Sequence, residues 1–496
     1  MLEIAITVGI VIVVLALFAF AIMLFRAMMF GRVPDAVEAL ETDPVQADVI
    51  AEHLAAALRL QTVSDLDRSR INLAAFCTLH DLLEQLYPRV HAVLERELVN
   101  EYSLLYTWKG RAPELAPVML LAHQDVVPVD PDTREEWTHP PFDGMVADAT
   151  VWGRGALDMK GNLISTLEAV EGLIKAGHQP ERTLYLGFGH DEEIGGTQGA
   201  AAISALLAER GVRLAAVLDE GGAVVTGIVP GLTLPVALVG VAEKGQATLE
   251  VWVEGRPGHS SAPPPHTAIG VLARALTRIE SAPMPARRWL ALRMFKELGA
   301  FLPMKMRFVF ANSWLFSGLI RRQFEQNAQI NAMQRTTTAI TVIRGGVKEN
   351  VLPAMARALV NFRLLPGDRV EDVLAHARKA VHDDAVQVQA AEGGCWEASP
   401  VSPSESPIFQ NLSRTIRQVF PETLVATYVV LGATDSRYYT SICPDVFRFS
   451  PYVLDSDLLK TIHGIDERIS ADTLARMVQF YMVLIKSWTT VVGTAE

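Results

Sequence analysis

The chain has 496 residues, 50% hydrophobic and 20% charged, which is enough apolar material for two or three globular cores. Its formal charge of -12, from 44 Lys+Arg against 56 Asp+Glu, comes without any Lys/Arg-rich patch. This excludes nucleic acid as the main partner, because phosphate binding needs clustered cations.

Residues 4–25 are an apolar run of about 22 residues with only Thr7 polar, the length a helix needs to cross a hydrocarbon core. Glu3 precedes the run and Phe25-Arg26-Ala27-Met28-Met29-Phe30 follows it. A secretory signal would instead begin with a basic segment and end at small residues. Residues 1–33 are therefore read as a single-pass membrane anchor. Arg26 and Arg32 favour a cytoplasmic C-terminal flank, but the charge rule is weak for one span before a large domain, so the side is left open. Cys77, Cys395 and Cys443 are widely separated; they fit neither a disulfide framework nor a Cys-x-x-Cys site and read as small buried hydrophobes.

After a polar linker, 34–46, the apolar spacing predicts helices over 47–60 and 71–86. Strands follow at 103–108 and 118–122, the second a continuous apolar run of the kind buried on both faces. It ends at His123-Gln124-Asp125, where the His-x-Asp spacing puts both side chains on one side of an extended segment and lets an aspartate orient a metal-binding imidazole. Asp158 stands just ahead of a helix over 163–176. The strand at 183–186 delivers Gly189-His190-Asp191-Glu192-Glu193, a crowding of carboxylates that calls for cations. A helix over 197–210 and a strand over 214–218 lead to Asp219-Glu220-Gly221-Gly222. In an open α/β sheet, ligands bind outside the carboxyl ends of the strands, so these residues can meet although far apart in sequence.

From residue 244 the texture changes to strands that alternate, at 247–254, 336–343, 356–364 and 385–390, with helices over 267–280 and 370–382. This β-α-β-β-α-β unit reads as a second domain, 244–394, inserted into a catalytic domain formed by 34–243 and 395–496. Residues 406–419, 424–431 and 470–488 supply the closing helix, strand and helix. The stretch 285–325 is too long and apolar for a loop; it reads as extra core helices, or as a surface lying against the bilayer or lining an acyl channel.

The candidate ligands are His123, Asp158, Glu193, Asp219 and His463, a mixed N/O set that suits zinc, and their charge suits a pair of divalent cations with Glu192 left as base. The motifs resemble those of the aminoacylase and carboxypeptidase S family of di-zinc metallopeptidases, and within it the Gly-X carboxypeptidases and N-fatty-acyl-amino-acid synthase/hydrolases. His123-Gln124-Asp125-Val126-Val127-Pro128, Gly153-Arg154-Gly155-Ala156-Leu157-Asp158-Met159-Lys160-Gly161 and Asp191-Glu192-Glu193 carry the resemblance. It implies two zinc ions, Asp125 as orienting residue, Asp158 as bridge, Glu192 as general base, Asp219 on the first zinc, and Glu193 and His463 on the second. It implies further that the inserted domain is a lid whose His259 stabilises the oxyanion, with Asn350 and Arg363 near the substrate carboxylate, and that a homodimer through the lid is to be expected. Gly432-Ala433-Thr434-Asp435-Ser436 has Ala where relatives commonly have Gly, which bears on the fit of the substrate's C-terminal end. The activity implied is hydrolysis, or its reversal, of the amide between an acyl group and an amino acid or C-terminal residue. Two rival readings are a deacylase or dipeptidase for small polar substrates and a tethered metal-binding protein without catalysis.

Overall fold

Strand Val118–His123 shows why the sheet lies at the centre of the molecule. In the computed structural model, which describes residues 1–39 and 45–490, all six of its residues are buried. They divide by parity: Val118, Leu120 and Ala122 enter the main core, Met119 and Leu121 a second core on the opposite face. Strand side chains alternate between faces, so a continuous apolar run needs cover on both. Helices Ala47–Leu58, Lys160–Lys175 and Ala471–Thr489 cover one face, and helix Ala200–Glu209 with the turn at Tyr439 covers the other.

Strands Val118–His123, Leu184–Gly189, Ala216–Asp219 and Val446–Arg448 run parallel within a 10-stranded mixed sheet. Their carboxyl ends therefore open on one edge, which is where the acids and His123 lie. Among the strands that the sequence did not announce are Glu95–Val99, an edge strand antiparallel to Ser103–Trp108, and Val236–Glu243, inside the sheet, which pairs in parallel with Leu424–Val430.

From Val236–Glu243 the chain passes through Lys244 directly into Gly245–Glu254 of a second sheet. That sheet is wholly antiparallel, in the order Thr337–Gly345, Met355–Leu364, Gly245–Glu254, Val386–Trp396. Alternate residues Ala247, Leu249, Val251 and Val253 pack with Leu272 and Ile279 of helix Ala268–Ser281 and with Val373 and Ala377 of helix Val370–Val381. Sheet and helices follow the β-α-β-β-α-β order that the sequence implies.

The apolar stretch 285–325 does not belong to the core of this second sheet. It folds into helices Trp289–Glu297, Met304–Ala311 and Ser313–Gln326, whose inner residues Met294, Phe295, Leu298, Ile320 and Phe324 join the main core of the catalytic domain. Glu297 fixes the docking by accepting from Thr427 N–H at 2.7 Å, on strand Leu424–Val430. The N-terminal helix Leu2–Met28 leaves its apolar residues exposed except at Met23, half-buried, and Ala27, buried; its length and composition suffice to cross a membrane. Of the cysteines only Cys443 is buried; Cys395 is half-buried and Cys77 exposed, because Cys77 lies on the outer side of helix Leu73–Leu86.

Candidate metal centre

Two parallel strands end side by side with His123 opposite Gly189. Beyond Gly189 the chain turns through the short helix Glu192–Ile194, which closes at Gly195 with φ 109, a left-handed conformation that glycine adopts without strain. Asp125, fully buried, pins this turn: its two carboxylate oxygens accept from the N–H groups of Glu192 and Glu193, each at 3.1 Å. His123 Nδ1 donates to the Asp125 carbonyl at 2.9 Å, with Asp125 Oδ1 3.4 Å away. Asp125 thus orients the imidazole mainly through its backbone and spends its carboxylate on the acidic turn. With Nδ1 so engaged, Nε2 is the nitrogen turned to the cluster.

At the centre stands Asp158, whose Oδ1 is 2.9 Å from His123 Nε2 and whose Oδ2 is 2.9 Å from His463 Nε2. Glu220 Oε1 lies 3.5 Å from His123 Nε2, and Glu193 Oε1 lies 3.3 Å from His463 Nε2. Ligand atoms of His123, Asp158 and Glu220, of Asp158, Glu193 and His463, and of His123, Glu192 and Glu193 fall within 4.8 Å of one another in each group. The two loops that carry Asp158 and His463 are joined by Glu467. Its buried carboxylate accepts from Arg154 Nη1 at 2.6 Å and from the N–H groups of Gly155, Leu157 and Asp158 at 3.0, 2.8 and 3.1 Å. Arg154 Nη2 also donates to the Gly464 carbonyl at 2.9 Å.

The electrostatics fit divalent cations. Burial pushes the Glu220 carboxyl up to about 8, reinforced by Asp158 and opposed by His123. Burial likewise raises Glu192 well above the usual range, with His123 opposing and Glu220 adding. Hydrogen bonds to Asp158 and Glu193 hold the His463 imidazolium up to about 10. Four carboxylates face two imidazoles here, and the raised Glu192 and Glu220 carboxyls show that without a cation the cluster holds protons rather than four negative charges. No Lys or Arg forms an ion pair with Asp158, Glu192, Glu193 or Glu220 among the described residues. Mixed imidazole and carboxylate donors are the set zinc takes.

Residues 119–487 match the sequence profile of peptidase family M20/M25/M40. The chain belongs to this family. M20 enzymes are metal-dependent, typically with zinc, and this member is accordingly a metallopeptidase-type hydrolase. Its relatives include the N-fatty-acyl-amino acid synthase/hydrolase of Xenopus tropicalis, 40% identical over 443 residues, or 88% of this chain and 85% of the relative. A probable carboxypeptidase S-like protein of Dictyostelium discoideum is 37% identical over 459 residues, covering 92% and 87% of the two chains. The fold is shared with the M20 family metallo-carboxypeptidase Sso-CP2 of Sulfolobus solfataricus, with a TM-score of 0.61 at 17% identity over 89% of this chain and 99% of the other.

Not every residue read from the sequence reaches the cluster of this M20 peptidase. Asp219 is the clear correction: its carboxylate turns away and accepts from Ser436 N–H at 2.7 Å. The position expected for it is taken by Glu220. Successive side chains at a strand end face opposite sides, so a tandem of two acids presents only one to His123. The tandem was the signal; its parity was not legible. His259 is exposed on the ribbon Gly258–His259, with Nδ1 2.7 Å from Ser261 Oγ. Asn350 is its neighbour, its carbonyl accepting from Ser260 N–H at 3.1 Å and its Oδ1 left without a partner. Neither residue makes a described contact with the cluster. Gly432 is exposed, with open space around it.

Arg363 lies near the end of strand Met355–Leu364, opposite Gln246 and Thr337. Burial and the nearby Arg437 lower its pKa, and no carboxylate pairs with it among the described ion pairs. Arg437, which the sequence reading did not single out, donates to the Gly195 carbonyl at 2.7 Å and lies 4.9 Å from the Trp396 ring centroid. Arg437 thus stands beside the end of the acidic turn, with Arg363 near enough to feel its charge. Behind Asp158 and Glu220 runs a cavity of about 350 Å³ whose walls include Ile228, Leu238, Met333, Tyr428, Leu454 and Ile462.

Proposed function

We propose that this M20 enzyme is a di-zinc amidohydrolase that cleaves N-acyl amino acids carrying a long apolar acyl group, and can form the same bond in reverse. The observation that carries the reading is the apolar cavity of about 350 Å³ that begins at Asp158 and Glu220. A site for small polar dipeptides has no use for such a wall, whereas an acyl chain gains from each methylene it buries there. The relative in Xenopus tropicalis is described as a synthase/hydrolase of N-fatty-acyl amino acids, which agrees with it.

His123, Asp158 and Glu220 would hold one zinc, and Asp158, Glu193 and His463 the other, Asp158 offering one oxygen to each. Bound there, the metals would polarise the scissile carbonyl and bring the pKa of an attacking water from 15.7 to about 7. Glu192 takes the water's proton and returns it to the leaving nitrogen. Asp125 keeps Glu192 and Glu193 in register by holding both their amide N–H groups. Arg363 and Arg437 supply the cationic side that fixes the amino acid's carboxylate, Arg363 through its planar fork. His259 is assigned to the oxyanion and Asn350 to the substrate carboxylate from the lid side. The anchor helix holds the enzyme to a membrane as a single span.

The test is a hydrolysis screen of N-oleoyl, N-decanoyl and N-acetyl amino acids against dipeptides, with and without chelator. Turnover should favour the long acyl substrates and vanish with chelator. Preference for dipeptides, or turnover that survives metal removal, would overturn the reading.

A further inference from the structure

The anchor helix is bolted to the enzyme along its last turns. The Phe20 and Phe308 rings lie 5.7 Å apart, and Phe30 and Phe310 stack at 6.4 Å. Asn312, fully buried, donates to the Met23 carbonyl at 3.1 Å, and Arg307 donates to the carbonyls of Ala27, at 3.0 Å, and Met28. A Cβ on Gly31 would fall 2.6 Å from Gly299 Cα, so the two backbones are in contact. Phe310 in turn stacks on Phe295 at 4.6 Å, inside the main core.

This attachment fixes depth. A helix rises about 1.5 Å per residue and a hydrocarbon core is about 30 Å thick, so about 20 residues cross it. Counted from Ile4, the first apolar residue after Glu3, the span ends near Met23. The contact between Met23 and Asn312 therefore sits at the boundary between hydrocarbon and headgroups. Directly after Asn312 come three outward apolar side chains: Trp314 is 65% exposed, Leu315 52% and Leu319 47%. Leu315 and Leu319 lie on either side of a kink at Phe316, while Ile320 and Phe324, beyond the kink, point into the core. Lys305, Arg321 and Arg322 are exposed on the same two helices.

We propose that helices Met304–Ala311 and Ser313–Gln326 form a second, monotopic membrane contact, with Trp314, Leu315 and Leu319 seated in the leaflet from which the anchor helix emerges. The proposal rests on reading Leu2–Met28 as a membrane span. Tryptophan favours the headgroup boundary, and cationic side chains beside an apolar face meet lipid phosphates. The following helix, Ala328–Gln334, contributes Gln329 and Met333 to the cavity beside Asp158 and Glu220. The contact thus lies one helix away from the acyl cavity, so an acyl chain held in the leaflet has a short route to the site.

The full-length protein would be reconstituted in vesicles of phosphatidylcholine and phosphatidylglycerol, some of the lipid brominated high on its acyl chains, and its tryptophan quenching measured. Flotation with the vesicles after alkaline carbonate washing reports the span separately. Trp314→Phe should remove most of the quenchable emission, and Leu315→Glu with Leu319→Glu should reduce it with Trp314 in place, both floating as wild type does. Unchanged quenching in floating Trp314→Phe overturns the contact while the anchor stands. Trp314 shielded from brominated lipid, with cross-linking between copies, also overturns it and gives the face to a second chain. Failure of the wild type to float removes the anchor reading and the contact together.

Discussion

Substituting Ile228 by Trp should shorten the acyl chain this enzyme accepts without touching its chemistry. Ile228 is a half-buried wall residue of the cavity that starts at Asp158 and Glu220, and none of its atoms belongs to the ligand cluster. Each methylene buried there contributes about 0.8 kcal/mol, or roughly fourfold in kcat/KM. Butanoyl to decanoyl adds six methylenes, hence about 5 kcal/mol at full burial and on the order of a thousandfold in the wild type. The polar Gln329 and Thr434 in the wall make that an upper bound. An indole at position 228 takes the room of two or three methylenes, so Ile228→Trp should lower kcat/KM for decanoyl by about ten- to sixtyfold and leave acetyl unchanged. The assay is a chain-length series with one amino acid. A flat wild-type profile would refute the reasoning, as would equal losses for acetyl and decanoyl.

Glu192→Gln should retain bound metal, measured by elemental analysis, while losing nearly all turnover, because it removes the base and no ligand. Loss of metal would instead make Glu192 a ligand. Arg363→Ala should cost about 2 to 5 kcal/mol in kcat/KM for substrates with a free carboxylate, and much less for their amides; equal losses would take the carboxylate away from Arg363. Glu467→Gln weakens the partner of buried Arg154, and breaking a buried pair costs about 3 to 5 kcal/mol. Chemical denaturation should show a loss of that order, together with weaker metal retention through the Asp158 and His463 loops; unchanged stability would contradict the pairing.

The strand-end chemistry was legible because parallel sheets buried on both faces leave continuous apolar runs, and those runs stop at His123 and at the acids after Gly189. The second sheet was legible from its period-two strands, which show only one buried face. Glu95–Val99 was not, since an edge strand carries the charged residues Glu95, Arg96 and Glu97 and loses the pattern. Glu220 was not legible behind Asp219, because which of two adjacent acids faces His123 depends on the Ser436 N–H that captures the first. Glu467, four residues after His463, was not legible as a support, since its partner Arg154 lies 313 residues away. The stretch 285–325 announced its apolarity but not its destination. Its inner face packs on the strand that carries Thr427, a long-range contact that local composition does not encode.

The central claim is a two-metal centre in which Glu220, not Asp219, closes the set. Zinc content per chain in purified Glu220→Gln and Asp219→Asn tests it most directly. Glu220→Gln removes a charged oxygen from the group of His123, Asp158 and Glu220, so it should lose one of two zinc ions. Asp219→Asn keeps an oxygen that can accept from Ser436 N–H and should retain both. Two zinc ions in Glu220→Gln with one in Asp219→Asn would contradict the account.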